Sequence, residues 1–330
     1  MNKLSVLGAG AWGTALANIA ANNGKHVTLW VREKELVDDI RDKRKNTLFL
    51  PDVALSENIT PTNDLTQAVT GTEAVLMVIP AQYLRATCHS LRPIWPVGLP
   101  AVICAKGIEQ KTGALLSEML TEELPQARIA VLSGPTFAEE AANGKPTALT
   151  LACADEKIGK ELVATLGTPT FRPYYSPDLI GVQIGGAVKN VMAIAAGIIA
   201  GKQAGDNARA AMITRGLAEM ARLAVALGGQ AQTLTGLSGL GDLVLTANST
   251  QSRNFTVGLE LGKERRLSEI LAGKNTVAEG VFTAEAVLER AAKVHVEMPI
   301  CEGLMKILNG EASVDSVIQS LLTRPFKSEN

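Results

Sequence analysis

The sequence predicts an α/β N-terminal domain built on a mostly parallel sheet, followed by an all-α C-terminal domain. Three observations predict it. Short β-rich runs alternate with helical patterns through the first half, which is how a parallel sheet covered on both faces reads. Helical patterns alone fill the second half. Between them, twelve of the fourteen prolines lie at or before Pro177, leaving only Pro299 and Pro325 afterwards. Strand-and-turn domains need such punctuation and helical domains avoid it. The boundary is expected near Ser176, giving domains 1–176 and 177–330.

In the first half the expected strands are Leu4–Leu7, Val27–Val31, Ala74–Ile79, Ala101–Cys104 and Ile129–Leu132, each followed by turn residues. Ala148–Cys153 and the run Phe171–Tyr175 are expected as further strands at the end of the sheet. In the second half Asn207–Leu227, Ala284–Val294 and Ile300–Leu308 read as helices.

The stretch 176–201 joins the halves. Ser176 is placed as an N-cap, Pro177 at the first helical position and Asp178 against the helix dipole. Nearly every residue from there to Ala200 is small or apolar, and a helix apolar all round is buried. In its middle stand Lys189 and Asn190. A buried ammonium is costly unless paired, and a desolvated lysine is suited to proton transfer. Two other readings compete at this point. One is a membrane span, opposed by Gln183, Lys189 and Asn190 near the centre and by the absence of a basic flank. The other is a structural lysine paired with a carboxylate.

Lys+Arg 32 against Asp+Glu 33 gives a formal charge of −1, with no field to attract nucleic acid or an anionic membrane. Hydrophobic residues make up 46% and charged residues 20%, the balance of a soluble globular chain. Cys88, Cys104, Cys153 and Cys301 form no CxxC pair and no metal spacing with the three histidines. They read as reduced core thiols, and the absence of a leader pattern adds to the expectation of a cytoplasmic protein.

Gly8-Ala9-Gly10-Ala11-Trp12-Gly13 directly follows the first strand and precedes a helix expected over Thr14–Asn22, with a second strand close behind. That context makes the motif a dinucleotide site of the Rossmann type. Gly8 permits the turn, Gly10 lets the pyrophosphate approach and Gly13 lets helix and strand pack. Trp12 reads equally as cofactor flank or packing residue. After the second strand come Arg32 and Glu33. An acid there holds the 2′-hydroxyl of NAD and an arginine suits a 2′-phosphate, so Arg32, which also reads as ordinary surface at a strand end, predicts that NADP(H) is preferred, with NAD(H) also usable.

Further loops follow strand ends at Ile79-Pro80-Ala81, Ala105-Lys106-Gly107 and Ser133-Gly134-Pro135-Thr136-Phe137-Ala138. Lys106 projects at the cofactor edge of the sheet, although taken alone it also reads as a solvated lysine after a strand, and a helix beginning near Phe137 offers N–H groups to an anion or carbonyl oxygen. Beyond the central helix, Gly236-Leu237-Ser238-Gly239-Leu240-Gly241-Asp242-Leu243 reads as a glycine-dense loop carrying one carboxylate. Gln251-Ser252-Arg253-Asn254 follows, an arginine among small donors that suits a phosphate. Glu279-Gly280 opens a helix running toward Arg290. Asp242 also reads as an ordinary turn residue, and Glu279 as a first-turn acid.

These segments, with Gly186-Ala187-Val188-Lys189-Asn190-Val191, resemble the bacterial NAD(P)-dependent glycerol-3-phosphate dehydrogenases over nearly the whole chain. The resemblance implies a dinucleotide domain and an all-helical substrate domain, usually in a homodimer. It implies that Lys189 is the acid/base, and that Lys106, Asp242, Arg253 and Asn254 line the substrate site with Gly134, Thr136 and Ser252 beside them. It places Ala11, Trp12, Arg32, Ala138, Val277 and Glu279 against the cofactor, together with Gly8, Gly10 and Gly13, and gives Lys106 and Arg253 a part in both sites. Ala11 stands where many relatives carry serine, a difference that removes one phosphate contact and leaves the site.

The expected reaction is reversible reduction of dihydroxyacetone phosphate to sn-glycerol 3-phosphate, supplying glycerol 3-phosphate for phospholipid synthesis and requiring no metal. A hydroxyacid dehydrogenase of similar plan is the alternative enzyme, with the arginine meeting a carboxylate. A nucleotide-sensing protein without chemistry is the alternative class. A histidine-based mechanism is disfavoured because His26, His89 and His295 fall outside the motifs.

Overall fold

The computed structural model describes residues 1–272 and 278–325, and its chain divides into two compact units. The first comprises Met1–Glu109 and Ala114–Gln183, the second Gln110–Gly113 and the chain from Ile184 onward.

In the first unit an eight-stranded sheet has the order β3-β2-β1-β4-β5-β6-β7-β8. The strands are β1 (Lys3–Leu7), β2 (His26–Trp30), β3 (Ile59–Thr62), β4 (Ala74–Met77), β5 (Pro100–Ile103), β6 (Arg128–Ser133), β7 (Thr147–Cys153) and β8 (Phe171–Ser176). Neighbours pair parallel except β6 with β7, which run antiparallel. The strand order reverses between β1 and β4, the switch point at which such sheets take ligands beyond their strand C-termini. The helices are α1 (Ala11–Asn22), α2 (Lys34–Lys43), α3 (Leu65–Val69), α4 (Ala81–Leu91), α5 (Leu116–Glu123), α6 (Ala138–Ala142) and α7 (Glu156–Leu166).

Alternation along the strands feeds two cores. Leu4, Val6, Leu76, Val102 and Leu132 join one cluster, while Leu7, Val75, Met77, Ile103 and Val131 join the other. That period of two, on strands buried on both faces, is why these runs read as continuous apolar segments. β3 is the strand absent from the sequence-based expectation. Its Pro61 sits opposite Leu29 on the outermost strand, where a missing ladder donor is tolerated.

The connecting helix α8 (Leu179–Gly201) begins later than the capping pattern suggests. Ser176 is still the last residue of β8, paired with Ala152. The cap is Asp178, whose Oδ1 accepts the Gly181 N–H at 2.8 Å, while Ser176 Oγ accepts the Asp178 N–H at 3.2 Å. Pro177 therefore precedes the cap. The helix is long and apolar enough to cross a membrane, but 83% of its apolar window is buried within the protein. A soluble core helix accounts for that composition.

The second unit is helical. After the main length of α8 come α9 (Asp206–Ala226), α10 (Ala231–Leu234), a π-turn (Leu237–Gly241), α11 (Asp242–Ala247), α12 (Arg253–Gly262), α13 (Leu267–Leu271), α14 (Glu279–Lys293), α15 (Pro299–Leu308) and α16 (Val314–Leu322). α8 and α12 approach backbone to backbone through paired glycines. A Cβ at Gly197 would strike the Phe255 carbonyl oxygen, and one at Gly258 the Ile194 carbonyl oxygen. Gly201 and Gly262, four residues on, repeat the arrangement. This approach brings the start of α12 beside the middle of α8.

Candidate active site

The glycine motif occupies the switch point. Gly8 takes φ +113, and a Cβ there would lie 2.8 Å from the Val78 carbonyl oxygen, so the turn accepts only glycine. Helix α1 begins at Ala11, three residues before the expected start, which puts Gly13 in its first turn. A Cβ at Gly13 would collide with the Gly8 carbonyl oxygen. Gly10 is the N-cap, and nothing lies within 4 Å of where its Cβ would be. The first turn of α1 holds no acidic residue and its cap no side-chain hydrogen bond. An open glycine face at a helix N-terminus with N–H groups to offer fits a pyrophosphate.

Ala11, Trp12 and Ala138 are partly buried against one apolar cluster, and the Trp12 ring lies 6.4 Å from that of Phe171. Trp12 thus has a packing role whatever it does for a cofactor. A residue overlooked in the sequence braces the turn from behind. Asn46, fully buried, donates through Nδ2 to the Ala9 carbonyl at 2.8 Å and to Thr14 Oγ1 at 2.7 Å, and accepts from the Phe49 N–H at 3.0 Å. No local pattern announces it, because the two groups its Nδ2 reaches lie more than thirty residues away.

Arg32 stands just beyond β2 with its side chain 73% exposed. Its Nε and Nη2 both donate to Oε1 of Glu33, at 3.0 and 2.6 Å.

Lys106 and Gly134, on the loops after the adjacent strands β5 and β6, are brought together. Lys106 Nζ donates to the Gly134 carbonyl at 3.0 Å, and Thr136 Oγ1 donates to the same oxygen at 3.3 Å. Gly134 takes φ +155 with its Cβ position 2.7 Å from Leu149. The helix after this loop is short, Ala138–Ala142, with Glu139 and Glu140 in its first turn. It is therefore a poorer anion site than the sequence pattern implied. The Lys106 loop is held from below by α4, where Gln82 Nε2 donates to the Ile108 carbonyl at 3.1 Å. Arg85 grips buried Glu109 through Nε at 2.7 Å and Nη2 at 2.8 Å.

In the second unit Lys189, on α8, meets α11. Its Nζ donates to Thr246 Oγ1 at 2.7 Å and lies 3.1 Å from Asp242 Oδ1, while Thr246 Oγ1 donates to Asp242 Oδ1 at 3.3 Å. All three are buried. Asp242 is therefore not a turn residue in water. The segment before it is not an open loop either, because Leu237–Gly241 winds as a π-turn running directly into α11. A Cβ at Gly185 would strike the Ser238 carbonyl oxygen, so glycine on α8 allows this turn to sit against it. Thr246 was missed, although its place four residues after Asp242 puts both on one helix face.

Ser252 caps α12, its Oγ accepting the Phe255 N–H at 3.2 Å. Arg253, the first residue of that helix, is exposed and makes no hydrogen bond or ion pair among the described residues. Asn254 is committed on both sides. Its Nδ2 donates to Asn190 Oδ1 at 3.0 Å and its Oδ1 accepts the Gly280 N–H at 2.9 Å. It ties α8, α12 and the start of α14, where Glu279 is the first residue, into one cluster. Val277 lies outside the described residues. All four cysteines are free and buried, and burial pushes the Cys88 thiol up to about 12.

A family model for the N-terminus of NAD-dependent glycerol-3-phosphate dehydrogenase matches residues 3–159, and one for its C-terminus matches residues 178–319. The chain belongs to this family. It is 53% identical over 327 residues to the glycerol-3-phosphate dehydrogenase [NAD(P)+] of Parvibaculum lavamentivorans, covering 99% of this chain and 98% of that one. Identity to the enzyme of the same name from Rhodospirillum rubrum is 54% over 329 residues, covering 100% and 94%. Among solved structures, glycerol-3-phosphate dehydrogenase from Coxiella burnetii superimposes with a TM-score of 0.93 at 38% identity, covering 98% of this chain and 99% of that one. The family supplies what local geometry does not, since a lysine paired with a carboxylate is also what a purely structural core would contain. Membership of a dehydrogenase family makes the buried Lys189 cluster a candidate for the chemistry and the glycine turn a candidate for the dinucleotide.

Proposed function

We propose that the protein interconverts dihydroxyacetone phosphate and sn-glycerol 3-phosphate with NAD(P)H or NAD(P)+. The observation that carries the chemical assignment is the buried Lys189–Asp242–Thr246 cluster. The bound nicotinamide supplies the hydride. Lys189 hydrogen-bonds the ketone oxygen and passes it a proton as the carbon is reduced, giving the secondary alcohol, and the amine afterwards regains a proton from solvent. A cation fixed where the alkoxide develops stabilises the transition state by several kcal/mol, and proton transfer contributes about 10²–10⁴-fold. Asp242, 3.1 Å from Nζ, and Thr246, which accepts its hydrogen bond, aim the ammonium.

The remaining residues bind. Arg253 presents a guanidinium with no partner among the described residues, which suits the substrate phosphate and uses a non-reacting group to position the ketone. Lys106, Gly134 and Thr136 form a second polar group for substrate and cofactor. The N–H groups of α1 hold the pyrophosphate beside Gly8, Gly10 and Gly13. Arg32 meets the 2′-phosphate and gives NADP(H) the preference, with Glu279 and Val277 on the cofactor side. The product would feed phospholipid synthesis. Four free cysteines support a cytoplasmic setting, and the family resemblance supports a homodimer.

The test is the fall in NADPH absorbance when dihydroxyacetone phosphate is added to purified protein, with NADH in parallel. Rapid oxidation is expected with both. Oxidation with an unphosphorylated hydroxyacid's keto form instead, and none with dihydroxyacetone phosphate, would replace the substrate assignment.

A further inference from the structure

We infer that Glu33 tempers the cofactor preference set by Arg32, by holding the guanidinium that a 2′-phosphate needs. The inference rests on the reading of Arg32 as the 2′-phosphate residue. Both donors of one edge of Arg32, Nε and Nη2, converge on a single oxygen of Glu33, at 3.0 and 2.6 Å. Neither side chain has another ion pair among the described residues. Glu33 also occupies the N-cap position of α2, yet it makes no side-chain capping hydrogen bond, so its carboxylate has no local task that would draw it away.

The pair has two faces for the two cofactors. A 2′-phosphate is acceptor-only and must take the Arg32 edge from Glu33, and the displaced carboxylate then lies beside it as a like charge. A 2′-hydroxyl donates, and a carboxylate is the acceptor it needs. Glu33 therefore weakens NADPH and does not weaken NADH. The side chains are 73% and 31% exposed, so the pair is worth only what exposed ion pairs are worth. Its removal should change affinity by about two- to fivefold, not by orders of magnitude.

The experiment measures dissociation constants for NADPH and NADH by calorimetry at low ionic strength, for the wild type, Glu33→Gln, Arg32→Ala and the double variant. Glu33→Gln should tighten NADPH about two- to fivefold and leave NADH unchanged or weaker. Arg32→Ala should weaken NADPH at least tenfold and leave NADH within about twofold. In the double variant the gain over Arg32→Ala should be clearly smaller than the gain of Glu33→Gln over the wild type, because Glu33 acts mainly by holding the arginine. An unchanged NADPH affinity in Glu33→Gln would overturn the inference alone, as would equal tightening in both backgrounds, which would be simple repulsion. An unchanged NADPH/NADH ratio in Arg32→Ala would overturn the reading of Arg32 and this inference together.

Discussion

Lys189 Nζ and Asp242 Oδ1 lie 3.1 Å apart in the helical unit, on side chains only 8% and 1% exposed. They come from different helices, and burying the two opposite charges together costs less than burying either one alone. The pair is thus a folding constraint as well as the proposed chemical one. Asp242→Asn should destabilise the protein by about 3 kcal/mol in urea unfolding, because it removes a carboxylate from beside a buried ammonium. Lys189→Met combined with Asp242→Asn should cost clearly less than the two single changes summed. Strict additivity would mean that the two groups do not depend on each other.

Asn46→Ala should weaken NADH and NADPH by the same factor. Its Nδ2 bonds to Ala9 and Thr14 hold the back of the glycine turn proposed to take the pyrophosphate common to both cofactors, and none of its hydrogen bonds among the described residues reaches Arg32. Leaving buried groups without these bonds should also cost about 1–3 kcal/mol of stability. Titration of the variant with both cofactors checks it. A selective loss of one cofactor would contradict this bracing role.

Arg85→Gln should raise KM for dihydroxyacetone phosphate severalfold, with recovery in part by Arg85→Lys. The guanidinium fork on Glu109 anchors the loop that carries Lys106, three residues earlier. Lysine keeps the charge but not the two-pronged geometry. Steady-state kinetics on the three proteins decides it, and an unchanged KM in both variants would detach Lys106 from this anchor.

Glu219 makes stability fall with rising pH. This carboxyl, buried on α9, accepts the N–H groups of Ile300 at 2.8 Å and Cys301 at 3.4 Å at the start of α15. Burial pushes it from 4.5 up to about 7, against those two hydrogen bonds and Arg222, which lower it, while Glu302 adds to the rise. The native state holds its proton more tightly than the unfolded chain does. Its contribution is therefore complete below about pH 4.5 and is lost as pH rises through about 7, on the order of 3 kcal/mol in all. Glu219→Gln keeps an acceptor for Ile300 and removes the titration. Unfolding free energies measured from pH 4.5 to 7.5 should change less with pH in the variant than in the wild type. Identical slopes would exclude Glu219 as the source.

The sheet and the glycine turn were legible in the sequence because their signals are local. A strand, three spaced glycines and a helix read directly from Leu4 to Asn22. β3 was not legible, since Pro61 argues against a strand unless that strand is known to lie at the edge. The helix carrying Lys189 was legible from its composition, but its start was displaced because Ser176 and Asp178 both suit a cap and β8 claims the serine. The glycines at 236, 239 and 241 suggested a loop, whereas backbone packing against Gly185 makes that segment a π-turn. Partners distant in sequence, such as Asn46 with Ala9 or Arg85 with Glu109, leave no periodicity to read.

The central claim is that Lys189 carries the proton, and turnover of dihydroxyacetone phosphate by Lys189→Ala tests it most directly, with NADPH affinity measured on the same sample. The account predicts kcat lower by at least about 10²-fold with cofactor affinity retained. Turnover within a few-fold of the wild type would contradict it, and would leave Lys189 as a structural partner of Asp242.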